Sequence, residues 1–378
     1  MTRHLHTATF ALAALTVLLS SCGSNRLDVP SAEIRFNAIN AVKPSSSTKS
    51  AATSATSAFD ESRTFATYAY LLPAGVDWSG STIAQAQTYI DNEEIRFWDK
   101  GDGPYIANTW HGENVYYWPK SGSLTFYAHS PYTIPEAARY GCTKENGVYV
   151  NGFKIPYPAV SAGTVAPVTD DKVTDILVAD EAKNMSRSSA ASGLNAVPVL
   201  FRHVLSKVRI VATLDRQPSA TDEPFTIKGI TLRDICTSGS YGNAAWSSQG
   251  DVRDIEYSCD VTLKYEKDLS DRLLAQVVFP ETFMIPQTTT AGTVGSGTSA
   301  VSRRPRIQIT FTVGSGVEQT AEFDLWKNSA SLGAWGSGKI ITYTLVHLLN
   351  NDDEYIEFGA SLGDWVETDK GNVDIGNM

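Results

Sequence analysis

Residues 208–214 read Val-Arg-Ile-Val-Ala-Thr-Leu, and residues 307–313 read Ile-Gln-Ile-Thr-Phe-Thr-Val. Val208, Ile210, Ala212 and Leu214 alternate with Arg209, Val211 and Thr213. Ile307, Ile309, Phe311 and Val313 alternate with Gln308, Thr310 and Thr312. Successive side chains of an extended chain point to opposite faces, so this period of two predicts strands with one buried and one wetter face. Around them, Phe225 to Leu232, Leu274 to Phe279, Gln319 to Leu325 and Lys339 to Leu349 read as further strands. Residues 287–304, rich in Thr, Gly and Ser, read as a long hairpin loop.

The first half continues the pattern less regularly. Phe65 to Leu72, Lys154 to Tyr157 and Asp175 to Ala179 are strand candidates. Val115 to Trp118 and Leu124 to His129 flank Pro119-Lys120-Ser121-Gly122, a turn with Pro and Gly in place. Only Ser81 to Asn92, with Ile83, Ala86 and Ile90 on one side, offers a short helix. Many short strands separated by turn residues predict an all-β protein built of sandwiches.

A length of 378 residues predicts two domains. The polar stretch 181–195 is the natural boundary, giving an N-terminal sandwich over 33–195 and a C-terminal one over 196–378. The first domain opens with Glu33 to Val42, where Ile34, Phe36 and Ala38 share one face and Asn40 takes the next place in that row. Lys43 to Ser62 is rich in Ser, Thr and Ala, with one Pro and almost no large apolar group, so 43–63 is predicted to be a mobile loop, closed by Arg63.

Ahead of this lies a different kind of segment. Arg3 and two histidines precede an apolar run from Phe10 to Leu19, followed by Ser20-Ser21-Cys22. A positive start, a short apolar middle and small residues at the break describe a secretory signal over 1–21, and the run falls short of the roughly 20 residues a spanning helix needs. A cysteine directly after Leu-Ser-Ser resembles a bacterial lipobox, which makes Cys22 the lipidated first residue of an exported chain and 22–32 its tether. The alternative is an ordinary signal cut nearby. The formal charge of −10 and the lack of a Lys/Arg block argue against nucleic acid. Cys142, Cys236 and Cys259 form no C-x-x-C pair; Cys236 with Cys259 is the nearer candidate for a disulfide, and three isolated thiols are the equal alternative.

The enzymatic motifs fail their context tests. Gly359-Ala-Ser361-Leu-Gly363 matches a nucleophile elbow, yet no histidine follows it and its surroundings read as strand. Gly333 to Gly338-Lys339 approaches a P-loop, but Ile340 stands where Ser or Thr should hold magnesium, and a strand follows instead of a helix. His111, His129, His203 and His347 show no metal-ligand spacing. Asp170-Asp171 and Asn351 to Glu354 lack the spacing of a calcium loop. The reading is of a protein without catalytic residues, metal or cofactor. Trp110, Tyr116, Tyr117, Trp118, Phe126 and Tyr127 form either a carbohydrate platform or packing between sheets, the usual place of aromatics in β proteins.

Several stretches, in chain order, resemble the fimbrillin family of Bacteroidales-type lipoprotein pilins and tip adhesins. They are Val115-Tyr-Tyr-Trp-Pro119 with Leu124-Thr-Phe-Tyr-Ala-His129, and Asp175-Ile-Leu-Val-Ala179 with Val199 to Val208. Met284-Ile-Pro-Gln287 and Ile356-Glu-Phe358 to Asp364-Trp-Val366 complete the set. The resemblance implies two tandem transthyretin-like β-sandwiches and a fimbrial subunit lipid-anchored at the outer membrane, with other pilin subunits and a host or bacterial surface ligand as partners. It also implies assembly by proteolysis and strand exchange: cleavage after Arg63, with Lys49 as second choice, expels the strand of Ile34, Phe36 and Ala38. The groove so opened takes a strand from another subunit. Glu367 to Met378 is polar, with only Val373 and Ile375 apolar, a weak donor that suits a tip or accessory subunit. The competing reading is a surface lipoprotein that binds carbohydrate and never polymerises.

Overall fold

Alternating apolar residues make strands almost everywhere they occur. The computed structural model describes residues 33–42, 55–100, 108–168, 172–189, 196–295, 297–326, 333–349 and 356–364. Cys22, Lys49 and the signal and tether segments lie outside them. The first strands are β1 (Arg35–Val42), β2 (Ala55–Ala58), β3 (Phe65–Leu72), β4 (Gln87–Trp98), β5 (Thr109–His111) and β6 (Ser123–Ser130). Then come β7 (Arg139–Thr143), β8 (Gly147–Lys154), β9 (Ala159–Ser161), β10 (Thr164–Val165), β11 (Leu177–Ala179), β12 (Ala182–Met185) and β13 (Ala196–His203). The second half begins with β14 (Ser206–Leu214), β15 (Phe225–Gly242), β16 (Ala245–Thr262), β17 (Glu266–Lys267), β18 (Leu273–Leu274) and β19 (Gln276–Met284). It ends with β20 (Gly292–Val294), β21 (Val301–Arg303), β22 (Arg306–Val313), β23 (Gln319–Asp324), β24 (Lys339–His347) and β25 (Ile356–Asp364).

The protein is all-β, as the sequence predicts, and its sheets fit β-sandwich architecture. One sheet follows the order β11-β13-β1-β5-β4-β3-β6-β12. Strand β11 pairs with β6 as well as β13, so the hydrogen-bonded path returns on itself around one core. In the second half, β23-β22-β15-β16 faces β19-β14-β24-β25. Ile227, Ile230, Leu232, Ile307, Ile309 and Phe311 on one sheet meet Val208, Ile210, Phe279, Ile341, Tyr343 and Phe358 on the other. The alternation at 307–313 holds, with Gln308 and Thr310 on the wetter face. Strand β14, central in its sheet between β19 and the parallel β24, differs: Val211 and Thr213 are buried too, so both of its faces are covered.

The domain boundary expected at 195 does not match the sheets. Strand β13 belongs to the first sheet, where Val197, Val199 and Phe201 complete its core. Conversely β7 to β10 join the sheet of the second half, β8 through β15 and β10 through β16. The chain passes between sheets at Val204-Leu205, both buried in a third cluster with Phe153, Ile155, Phe283 and Ile285. Part of the polar stretch is β12, which pairs with β6 in the first sheet.

Other local expectations sort by their physics. The turn at 119–122 is present: Gly122 has a φ of +90°, and a Cβ there would clash with the Leu72 carbonyl. Val115 to Trp118 is not a strand but runs beside the start of β1, with Ile34 N–H donating to the Tyr116 carbonyl at 2.8 Å. The helix expected over Ser81–Asn92 shrinks to a single 3-10 turn at Ile83–Gln85 before β4 takes over. Cys142, Cys236 and Cys259 are all free thiols. The stretch 287–304, expected to be loop, carries the small β20–β21 hairpin. Among the described residues, no helix is long and apolar enough to cross a membrane.

Two buried polar groups explain sequence marks that alternation does not. Gln287, from Met284-Ile-Pro-Gln287, donates to the Cys236 and Ile285 carbonyls at 3.0 Å each. Its Oε1 accepts from Cys236 N–H at 2.9 Å and from the buried Arg303 guanidinium. One side chain thus satisfies the backbone where β15 departs from regular pairing. His129 is wholly buried in β6, its Nδ1 donating to the Pro131 carbonyl at 3.0 Å and its Nε2 lying 3.4 Å from the Tyr68 hydroxyl.

Burial lowers the pKa of His129 from 6.5 to about 4. The unfolded chain therefore takes up a proton below about pH 6.5 that the folded chain refuses until about pH 4. Stability is insensitive to this group above that window and falls as pH drops through it, by about 3 kcal/mol in all. Urea titrations of wild type and His129→Gln across pH 7 to 4 are expected to show a shallower loss for the variant.

Candidate functional site

The seat of β1 is the candidate site. This strand lies inside the first sheet rather than at an edge. On one side it runs parallel to β13 through six residue pairs, Arg35↔Ala196 to Asn40↔Phe201. On the other side Phe36 meets Trp110 of β5, and Ile39 to Val42 meet β2. All these neighbours except β2 come from distant parts of the chain, so β1 fills a slot that other elements build.

The inward row read from the sequence is buried: Ile34 is 3% exposed, Phe36 6% and Ala38 5%. The Phe36 ring stands edge-on to Phe65 and Phe126, with centroids 6.0 Å away in each case. Such T-shaped contacts add to the roughly 1.5–3 kcal/mol gained by burying each large apolar side chain. The outer row carries Arg35, whose guanidinium pairs with Glu33 at 3.1 Å, both buried. His111 lies close by at the end of β5; burial lowers its pKa, against the opposing pull of its bond to the Gly112 carbonyl and of Glu33.

The loop expected to be mobile over 43–63 is ordered in its described part. Strand β2 pairs with β1 in the register Ile39↔Ala58 to Val42↔Ala55. Phe59 enters the core, stacks on Phe201 at 4.6 Å and 25°, and meets Phe65 and Trp110 edge-on. Phe59, 3% exposed, supplies the burial that fixes this segment. That lone aromatic in a Ser/Thr/Ala run is the signal that compositional reading passes over.

Arg63 sits in a closed turn. Its N–H donates to the Asp60 carbonyl at 3.1 Å, while the Asp60 carboxylate accepts from Ser62 N–H at 2.9 Å and the Ser62 hydroxyl at 2.7 Å. These bonds to Ser62, with Arg63 nearby, hold the Asp60 pKa below its ordinary value. The Arg63 side chain is 32% exposed and reaches Asp175 at 3.5 Å. Asp175 also accepts from His203 Nδ1 at 3.1 Å. Burial alone would raise the pKa of Asp175, but His203, then Arg63 and Lys207, outweigh it and keep the carboxyl low. The Thr64 carbonyl is fixed by the Ser130 hydroxyl at 2.9 Å. A protease that needs extended backbone must first open residues 60–64.

The other sequence candidates fall into structural places. Gly359 to Gly363 lies within β25, so Ser361 occupies no elbow. Gly338 turns against the His203 carbonyl just before β24. Among the described residues, no group of His, Cys, Asp and Glu has metal-binding geometry. Trp110 and Trp118 are each 6% exposed and belong to the first core, and of the six aromatics only Tyr117, at 56%, faces outward. These six aromatics pack chiefly inside the protein and form no exposed platform.

The sequence profile of the fimbrillin-like family matches residues 52–365. The chain belongs to that family. Membership sets it among fimbrial, adhesion-related proteins and speaks for a structural rather than an enzymatic role. The matched span begins beyond β1. A fimbrial protein from Bacteroides vulgatus is similar in fold, at 15% identity and a TM-score of 0.51, covering 80% of this chain and 93% of its own. A putative cell adhesion protein from Bacteroides ovatus aligns at 14% identity and TM-score 0.42, over 89% of this chain and 98% of its own. The tip fimbrial protein Mfa3 from Porphyromonas gingivalis, truncated at its C-terminus, aligns at 10% identity and TM-score 0.32, over 81% and 95%. No curated protein matches the chain.

Two variants test this site. Phe36→Ala is expected to cost about 3–5 kcal/mol of unfolding free energy, because the cavity opens among packed rings. Asp60→Ala is expected to speed cleavage after Arg63 by a trypsin-like protease several-fold, measured by mass spectrometry of the fragments, since it removes both bonds to Ser62 and loosens the turn.

Proposed function

We propose that this protein is a tip or accessory subunit of a fimbrium, exported as a lipoprotein on Cys22 and assembled by strand exchange at the seat of β1. The observation that carries the reading is the interior position of β1 together with its connection to the rest. Covalently, β1 reaches the body only through residues 43–64. Once that link is cut, the strand becomes a bound peptide, and its occupancy depends on dissociation and competition instead of on a tether. Departure leaves unpaired amides and carbonyls on β13 and β5 and an apolar trough between them, the surface that β-strand addition uses.

Cleavage after Arg63 releases β1, β2 and Phe59 together; cleavage after Lys49 leaves β2 and Phe59 attached to the body. The first choice therefore empties the slot more fully. Transthyretin-like sandwiches and adhesion at the cell surface complete the reading, supported by the family match over most of the chain and by the fimbrial fold neighbour. The buried tryptophans speak against the carbohydrate-platform alternative.

Treatment of the purified precursor with an arginine-specific protease is expected to release the N-terminal fragment and yield oligomers on size-exclusion chromatography, with Arg63→Ala resistant. A precursor that stays uncut, or is cut and remains monomeric, contradicts the proposal. Replacing Cys22 by Ser is expected to move the protein from the membrane fraction to the soluble fraction of expressing cells; unchanged membrane retention removes the lipid anchor from the reading.

A further inference from the structure

The resident strand fits its slot imperfectly at one place. Asn40 follows Ile34, Phe36 and Ala38 on the inward row and is 6% exposed. It stands opposite the buried Phe201. Phe59, two residues beyond its register partner Ser57, stacks on that same ring. The amide thus lies on the same inward face as these two rings. Its Oδ1 is buried and accepts no hydrogen bond among the described residues. Its Nδ2 makes one long bond, 3.4 Å, to the Ala58 carbonyl.

That single bond lies wholly within the segment that cleavage at Arg63 sets free. It ties the fragment to itself and contributes nothing to holding the fragment on the body. A buried amide oxygen without a partner lowers a binding constant by a factor of roughly 5 to 150. In the uncut chain this lowers stability but leaves the slot filled, since the tether keeps the strand at high effective concentration. After the cut, the full deficit appears.

We propose that the fourth inward position of the slot, now held by Asn40, is a binding position for an apolar side chain. The preferred occupant is an extended segment of another subunit with apolar residues at four alternate positions, and Asn40 makes the resident strand the poorer ligand. The inference rests on the strand-exchange reading and adds to it the chemistry of the partner and the direction of exchange. A β-branched or larger aliphatic group at this position meets Phe201 and the space vacated by Phe59 without stranding a polar atom.

The test uses the full chain as wild type, Asn40→Val and Asn40→Ala, each uncut and after complete cleavage at Arg63. Asn40→Val is expected to unfold at higher temperature when uncut, to release its fragment at least about tenfold more slowly once cut, and to form oligomers correspondingly later. Asn40→Ala, which deletes the amide without adding bulk, is expected to shift in the same direction. A synthetic peptide of residues 33–42 carrying Asn40→Val is expected to block oligomer formation at about one tenth the concentration needed by the unaltered peptide. Equal or faster release of the Val fragment, with wild type still releasing and assembling, overturns the role of Asn40 and leaves strand exchange standing. Retention of the wild-type fragment after cleavage sinks strand exchange instead. The uncut chains then decide the remaining point, for an Asn40→Val precursor no more stable than wild type overturns the misfit itself.

Discussion

A strand in the space between β13 and β5 closes the first core. Phe65, Phe126, Trp110 and Phe201 come from four separate strands and meet around side chains brought by one short N-terminal segment, Phe36 from β1 and Phe59 just beyond β2. Remove that segment and the rings lose their common neighbours while two strands lose their hydrogen-bonding partner. Water would enter an apolar trough, and the free-energy cost would favour any extended chain able to fill it.

Much of this was legible from residue order. Ile34, Phe36 and Ala38 declare an inward row by alternation alone, and the strands at 208–214 and 307–313 stand where they were read. What escaped has physical reasons. Strand β2 consists of Ala, Thr and Ser, which carry no burial signal of their own, and its order derives from pairing with β1 and from Phe59. The polar stretch ahead of β13 points it to the second half, whereas its apolar face belongs to the first. The helix expected at 81–92 lost to β4, whose pairing with β3 extends over most of its length. Sequence periodicity reports which face is dry; it does not report which sheet that face completes.

The two halves interlock more deeply than a tandem arrangement implies. The β15–β16 hairpin spans 18 residues on each strand and carries Tyr241 and Trp246 into a cluster with Phe153 and Ile285. Trp246 donates its indole N–H to the Val204 carbonyl at 2.6 Å, at the point where the chain passes from one sheet to the other. Gln287 and Arg303 then satisfy the backbone where that hairpin bends. Changes at the seat of β1 therefore act on a body braced by a second, independent core.

The parallel alignment of β1 with β13 has a mechanical corollary. A segment lying in that groove and tugged along its own axis is loaded in shear, so the bonds spanning its six aligned pairs must give way nearly together. An edge strand peeled sideways would instead unzip rung by rung under a far smaller force. A filament joined through such grooves would meet flow along its length with its strongest geometry.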